Sequence, residues 1–506
     1  LNHFFDGEVM RSANFCLSLG VLFGLFSGVC EVAGGGPFPH LRPATAHAAP
    51  LHTEGSHFVD AQGGVVLLRG INLSGESKVP PFRHVRSAAD LDPLPAWGIN
   101  VLRLLFNWEA FEPTRGTYDA TYLDSVTHVV DAAHRRGLYV IIDIHQDAFS
   151  RFSTGGCGDG LPRWAIPKDI PARTPDNGPA CAGWGTRMIF DAEMHRSFGA
   201  FHANHDGVRD RYLQLLSTLA RHFRSHPAVI GIDPINEPWG DEKTELAALY
   251  SDAERAIRRE FPDAVLFLGA HALTSSGLVG SALPRPGFSN YAFAPHYYDP
   301  GVLIGHSYSG LSLATDLAFA LIDRKTQEFS APLFLGEFGA PDGTRGADAY
   351  LTLLAQHLDR RFASGAQWNY TPGWDPVRKD GWNQEDLSIT DDHNTLRPGL
   401  FRPRPYPQRL AGQPVAVSVR EASPLAPYSI EVSWEHVPRL GETVIFAPAA
   451  LFSGGSAGRK PVVTTEGSGL SCRYDRESLR LQCQSATAGR KRVVVRACVP
   501  LGPLCL

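Results

Sequence analysis

Eight short, almost unbroken apolar runs recur between residues 65 and 370, at 65–71, 101–106, 139–145, 229–236, 265–269, 291–298, 333–338 and 366–370. A strand covered on both faces needs no polar side, so such runs read as buried parallel strands rather than half-exposed antiparallel ones. Helix-period segments lie between several of them. Tyr122, Leu123, Val126, Val129, Val130 and Ala133 fall on one face, and Leu246, Leu249, Tyr250, Ala253 and Ile257 on another. Strand and helix alternating eightfold predict an α/β fold of the (β/α)8, or TIM-barrel, kind.

The character of the chain changes after Pro398. A Pro/Arg stretch, Arg402-Pro403-Arg404-Pro405-Tyr406-Pro407, reads as a linker, and short strand-like runs come after it at 415–419, 428–434, 443–446, 461–465, 470–475, 480–485 and 492–499. They predict a small C-terminal antiparallel β-sandwich of roughly 95 residues that packs against the barrel. The expected division is therefore 49–408 for the barrel and 409–506 for the sandwich.

Arg11, the apolar stretch 15–32 and Ala46-His47-Ala48 before Ala49-Pro50 have the layout of a secretory signal, with residues 1–9 upstream of the true start. The apolar stretch is short for a membrane span. A secreted, extracellular protein with residues 1–48 removed is the expectation. Of eight cysteines, Cys16 and Cys30 would leave with the signal, and the even remainder favours disulfides. Cys472 and Cys483 flank a hairpin whose four-residue loop sets them opposite each other. Cys157 with Cys181 and Cys498 with Cys505 are sequence neighbours, and spacing alone leaves their connectivity open. The net charge of −5, with 43% hydrophobic and 20% charged residues, gives no electrostatic case for nucleic acid or an anionic membrane surface. No protein partner is implied.

In such a barrel the C-terminal strand ends line one mouth. The residues closing the runs are Asn72, Arg103, His145, Asn236 with Glu237, His296 with Tyr298, Glu337 and Trp368. Glu237 stands in Ile-Asn-Glu-Pro and Glu337 in Leu-Gly-Glu-Phe-Gly. Hydrolysing an acetal with retained configuration needs a carboxylate nucleophile and, about 5 Å away, a protonated carboxyl for the leaving oxygen. Glu237 is the expected acid/base, because Asn236 beside it can bond a sugar 2-hydroxyl. Glu337 is the expected nucleophile, kept ionised by Arg103 and oriented by Tyr298. His145 and His296 fit sugar hydroxyls or carboxylates better than a metal. The trio His195, His202 and His205 reads as surface histidines, so neither metal nor cofactor is expected.

The insertion 146–208 carries Phe149, Phe152, Trp164, Ile166, Trp184, Met188, Ile189, Phe190, Phe198 and Phe201. A loop this long and apolar needs a packing partner or a ligand: the barrel rim, or acyl chains. Sequons at Asn72 and Asn369 fall inside the proposed mouth and read as incidental.

The segments Asp143-Ile-His145-Gln-Asp147, Asn236-Glu237-Pro238, His296-Tyr297-Tyr298, Glu337-Phe338-Gly339-Ala340, Gln367-Trp368-Asn369-Tyr370 and Trp382-Asn-Gln-Glu-Asp-Leu-Ser388 resemble glycoside hydrolase family 5, clan A. The nearest match is its endoglycoceramidase group. Asn-Glu-Pro occurs across the clan, whereas the His-Gln-Asp triplet and the Trp-Asn-x-Glu-Asp-Leu-Ser run are narrower. The resemblance covers about residues 52–500. It implies cleavage of the β-glycosidic bond between glycan and ceramide, in a glycolipid presented in membranes or micelles. It also implies Glu237 as acid/base, Glu337 as nucleophile, Lys78 with His145 and Asp147 at the glycan, and Trp368 as a platform beneath the sugar. The loop after Asn72 and residues 299–309 match no subgroup. Removal of glucose from glucosylceramide or a steryl glucoside, and a secreted endo-β-glucanase, are the alternatives within enzymes. A silent carbohydrate-binding protein is the alternative outside them, and the intact glutamates argue against it.

Overall fold

The structure is a computed structural model and describes residues 51–423, 426–448, 461–497, 500–501 and 504–505. The expected signal segment and Cys498 lie outside the described residues.

The barrel strands are β1 (Arg69–Leu73), β2 (Val101–Asn107), β3 (Tyr139–His145), β4 (Val229–Asp233), β5 (Val265–Leu268), β6 (Tyr291–Phe293), β7 (Phe334–Leu335) and β8 (Ser364–Tyr370). They form one eight-stranded sheet in the order β7-β8-β1-β2-β3-β4-β5-β6. Parallel bridges Phe293↔Leu333 and His296↔Glu337 join β6 to β7 and close the ring. Val101, Tyr139, Ile141, Ile230, Phe267, Ala292, Phe334 and Ala366 meet in the barrel interior, while Leu102, Leu104, Val140 and Ile142 join the cluster shared with the helices. Side chains alternate between the two faces of a strand, so residues an even number of steps from an interior one share its face. Arg103 is two residues beyond Val101, and Asp143 and His145 are two and four beyond Ile141, which puts all three on the inner face.

The outer layer holds α1 (Ala120–Arg135), α2 (Val208–Phe223), α3 (Ala247–Arg258), α4 (Leu313–Phe329) and α5 (Ala347–Arg360). The expected face of α1 is the buried one, Leu123 being half-buried, and Asp119 caps its start by accepting from Tyr122 N at 3.0 Å. The alternation is not eightfold in α-helices. The first connection is built from 3₁₀ turns, Gly75–Lys78, Ala88–Leu91 and Leu94–Trp97, and the fifth has only Ala272–Ser276. Pro80, Pro81, Pro93 and Pro95 interrupt the first, and Gly277, Gly280, Pro284, Pro286 and Gly287 the fifth, so an i to i−4 ladder cannot propagate. Prolines also shorten two strands: β4 stops before Pro234 and β6 before Pro295.

The run 65–71 divides between two sheets. Val65–Val66 pairs antiparallel with Tyr406–Leu410, and only from Arg69 does the chain enter the barrel. The antiparallel region consists of a seven-stranded sheet, which also takes in His52–Glu54 and His57–Val59, and a four-stranded sheet of Gly412–Arg420, Ser429–His436, Gly489–Arg496 and Val462–Glu466. Leu67, Leu410, Ile430, Val432, Trp434, Ile445, Leu481, Val493 and Val495 share a buried cluster there. Strands from both ends of the chain thus build one sheet against the barrel. Cys472 and Cys483 are direct partners across their hairpin and are bonded, as are Cys157 and Cys181. No helix among the described residues is long and apolar enough to cross a membrane.

The insertion packs mainly onto the rim. Phe149, Phe198 and Phe201 are buried, Trp164 meets Trp108 edge-on, and Trp184 meets Trp382. Ile189 and Phe190 stay exposed.

Candidate active site

Arg103 organises the floor of the mouth. From β2 its guanidinium donates to Asp233 Oδ2 (2.8 and 3.1 Å), Asp143 Oδ1 (2.9 Å), Asn72 Oδ1 (3.0 Å), Asn236 Oδ1 (2.8 Å) and Glu337 Oε1 (2.9 Å). Burial works against its charge, but the three carboxylates outweigh that and raise its pKa further. Asn72 passes the linkage on, its amide donating to Gly336 O at 3.0 Å just before Glu337.

Glu337 follows β7, and its second oxygen accepts from the Tyr298 hydroxyl at 3.0 Å. Glu237 sits beyond β4 on a backbone with φ of +34°, a left-handed conformation uncommon for a residue with a side chain. Its Oε1 lies 2.9 Å from His296 Nδ1, which is also 3.6 Å from Glu337 Oε2. Glu237, His296 and Glu337 each bring one atom into a group spanning no more than 4.8 Å. Burial pushes the Glu237 carboxyl up, His296 draws it back, and the charge of Glu337 adds to the rise. Burial opposes the charge on His296 too, yet Glu337 and Glu237 raise its pKa on balance. The two carboxyl groups meet different partners: an arginine and a phenol for Glu337, one imidazole for Glu237.

The other wall carries the remaining expected residues. His145 closes β3, with Nδ1 2.7 Å from Asp143 Oδ2 and Nε2 3.4 Å from Asp147 Oδ2. Burial disfavours its charged form, but Asp143 and Asp147 outweigh this and push the pKa up to about 10. Its ring stacks on Trp368, 5.5 Å between centroids and 10° between planes. Lys78 donates to Asp147 Oδ2 at 2.6 Å and lies over the rings of Trp368 and Trp382, 4.3 and 3.9 Å from their centroids. Asn236 donates to Gln146 O at 3.1 Å, and Gln146 returns a bond to Asn236 O at 2.7 Å, locking the ends of β3 and β4 together. The structure therefore brings Lys78, Arg103, His145, Asp147, Asn236, Glu237, His296, Tyr298, Glu337 and Trp368 to one mouth.

Several groups in this network were not among the expected site residues. Asp143 and Asp233 are charges inside apolar strand runs, a signal present in the sequence. Asp143 shares the inner-face phase, whereas Asp233, three residues beyond interior Ile230, reaches that face through the register shift that pairs Val140 with Val229 but Ile141 with Gly231. Glu385 Oε2 lies 3.7 Å from Lys78 Nζ, and burial raises its pKa to about 7 against the pull of Lys78. Asp159 is buried beside Asp147. Neither Glu385 nor Asp159 has a periodic pattern to reveal it, since both lie on irregular segments.

His145, Asp147 and Asp159 have atoms close enough to hold a cation, but the Lys78 ammonium already occupies that role at Asp147. The three histidines do not converge, and only His205 is exposed. His202, at the end of helix Ala192–His202, is buried, contrary to its reading as a surface residue, with Nε2 facing Trp239 O at 2.7 Å. His195 on the same helix is half-buried, with Nε2 facing Met188 O at 3.1 Å. Both sequon asparagines are fully buried, with their amides donating to Gly336 O and to Asp380 Oδ2.

Comparison with known proteins agrees with this geometry. Residues 59–373 match the family described as Cellulase (glycosyl hydrolase family 5). The chain is 28% identical over 401 residues to Endoglycoceramidase I of Rhodococcus hoagii, covering 74% of this chain and 75% of that one. Among solved structures, endo-glycoceramidase II from Rhodococcus sp. in its ganglioside GM3 complex superposes with a TM-score of 0.71 at 26% identity, covering 88% of this chain and all of that one. The same protein as its lactosyl-enzyme intermediate gives 0.69 at 25% identity over the same shares. The match to the family spans well over half of the sequence and contains both mouth glutamates, so the chain belongs to glycosyl hydrolase family 5.

Proposed function

We propose that this glycosidase cleaves the β-glycosidic bond between glycan and ceramide of a glycosphingolipid, with retention, by double displacement. The observation that carries the reading is the Glu237–Glu337 pair, whose nearest oxygens lie within 4.8 Å. Retaining enzymes hold their carboxyl groups about 5 Å apart, whereas inverting ones leave roughly 6.5–9.5 Å for a water.

Glu337, paired to Arg103 and Tyr298, is the nucleophile. Its oxygen attacks the anomeric carbon, the bond to the ceramide oxygen breaks, and Glu237 gives that oxygen its proton. Glu237 then takes a proton from water, which displaces Glu337 and frees the glycan. A raised Glu237 pKa suits a group that must be an acid first and a base second. Asn236 bonds the 2-hydroxyl, Trp368 underlies the ring, and Lys78, His145 and Asp147 bind further hydroxyls. Arg103, His296 and Tyr298 orient the two carboxyl groups.

The ceramide part of the reading is supported by the relatives' names and by the rim. Phe190, Leu278, Val279, Ile304, Leu311 and Val377 are exposed on connections that leave the C-terminal strand ends, the end that bears the mouth. Exposed apolar side chains on these connections fit a substrate held in a membrane or micelle. Secretion belongs to the same proposal, supported by the Ala-x-Ala layout and two disulfides. In it, residues 409–506 brace the barrel.

The test is product analysis on a ganglioside with a fluorescent ceramide in detergent micelles. Intact glycan and ceramide in equal amounts, with the β-anomer appearing first by NMR, are expected. Release of single monosaccharides only, or turnover of soluble β-glucan alone, would contradict the substrate assignment.

A further inference from the structure

The arm Cys157-Gly-Asp-Gly160 lies against residues 146–150 at backbone contact. Asp159 N donates to Asp147 O and Leu161 N to Phe149 O, both at 2.8 Å, and Ser150 Oγ donates to Leu161 O at 2.6 Å. Only glycine fits on either side of Asp159. A Cβ at 158 would stand 2.3 Å from Ser150 O, and one at 160, where φ is +102°, 2.4 Å from the Gln146 side chain. This approach sinks Asp159 completely beneath the mouth.

Both Asp159 carboxyl oxygens are buried and receive no hydrogen bond. Their polar neighbours include Asp147 and His145, with atoms of all three inside 4.8 Å, and the charge of Lys78 reaches them as well. The Lys78 and His145 cations favour an ionised Asp159, but a fully buried carboxylate that receives no hydrogen bond, next to another carboxylate, is disfavoured more. A neutral acid has a hydrogen to give, and Asp147 can accept it. Asp147 in turn carries Lys78 at 2.6 Å.

We propose that Asp159 is a positioning residue for the glycan site: as a neutral carboxylic acid it donates to Asp147 and so fixes the carboxylate that holds Lys78. Burial first, and then the charge of Asp147, raise the Asp159 pKa well above the carboxylate range against the pull of Lys78 and His145. The Cys157–Cys181 bond anchors the arm. Cys157 O accepts from Asn383 Nδ2 at 2.6 Å, Asn383 N donates to Asn177 O at 2.9 Å, and Asn177 Nδ2 donates to Gly158 O at 3.0 Å. Asn383 is two residues before Glu385, the other carboxyl facing Lys78. Hydrogen bonds thereby tie the segment bearing Glu385 to the disulfide-anchored arm that bears Asp159. Asp159 does not touch Glu237 or Glu337, so its role is felt in substrate affinity more than in the chemical steps.

The inference rests on the proposed glycosidase function, and the experiment separates the two. Wild type, Asp159→Asn, Asp159→Ala and the double Cys157→Ser, Cys181→Ser variant are assayed on the micellar ganglioside and on an activated aryl lactoside. Asp159→Asn, whose amide still donates while neutral, should stay within about threefold of wild type on both. Asp159→Ala and the double serine variant should raise KM by roughly tenfold or more with a smaller change in kcat. The infrared difference between wild type and Asp159→Asn should lose a protonated-carboxyl band. Wild-type KM in Asp159→Ala, an Asn variant as impaired as the Ala variant, or no such band would each overturn the proposal. If Asp159→Ala does not fold, the Asn variant and the infrared band decide. Wild type inactive on both substrates would instead overturn the glycosidase function itself.

Discussion

Arg103 reaches Glu337 across the barrel, Nη1 to Oε1 at 2.9 Å, from β2 to the end of β7. A guanidinium in this position fixes one carboxylate oxygen, while Tyr298 fixes the other at 3.0 Å. The nucleophile assigned to Glu337 is therefore held by both oxygens before a sugar arrives, which is the kind of preorganisation that lowers a barrier.

Glu337→Gln should lower kcat by about 10⁴-fold or more, because the covalent intermediate can no longer form. A 2-fluoro glycoside trapped on the wild type, followed by peptide mass spectrometry, should place the sugar on Glu337. A label on any other residue contradicts the assignment.

Glu237→Ala should separate substrates by leaving group. Ganglioside turnover should fall by about 10³-fold, and activated aryl glycosides, which need no proton in the first step, far less. Burial raises the Glu237 pKa, so in the wild type activity should decline as pH rises through that pKa and the acid is lost. The variant should lose this alkaline limb; an unchanged limb would assign it to another group.

Replacing Arg103 by Met should cost about 3–5 kcal/mol of stability, since Asp143, Asp233 and Glu337 would be left buried without their cation. Denaturant unfolding measures this. A loss below about 1 kcal/mol would mean that the carboxylates relax into solvent instead.

His145 makes stability depend on pH in a direction that follows from its raised pKa. Below its ordinary value of 6.5 the imidazolium is present in both folded and unfolded chains, and its pairing with Asp143 and Asp147 contributes in full. As pH rises from 6.5 towards about 10, the unfolded chain sheds this proton first and the contribution fades. His145→Gln should flatten the melting-temperature profile across that window. A parallel profile, shifted but equally steep, would exclude His145 as the source.

The hairpin disulfide is remote from the mouth. The double variant Cys472→Ser, Cys483→Ser should lower stability by roughly 2 kcal/mol through loop entropy alone, leaving kcat within error of wild type. Calorimetry with parallel kinetics checks both halves.

Periodicity made the barrel legible in the chain, because an apolar run covered on both sides and a helical stripe are local properties that each segment carries alone. The strand-end rule then gathered Glu237, Glu337 and Arg103 before any coordinates, and the strand runs also contained Asp143 and Asp233, charges that an apolar run does not tolerate without a partner. Other features were decided only by contacts between distant segments. Val65–Val66 leaves the barrel for the sheet of Tyr406–Leu410, since strand pairing is chosen by a partner more than 300 residues away, which no window of sequence registers. Asp159 and Glu385 arrive beside Lys78 on irregular loops, where no repeat distinguishes a buried acid from a solvated one. The sequence determined which residues close the strands; folding alone determined that Glu237 and Glu337 face each other with unlike neighbours, because burial and hydrogen-bond partners are properties of the assembled mouth.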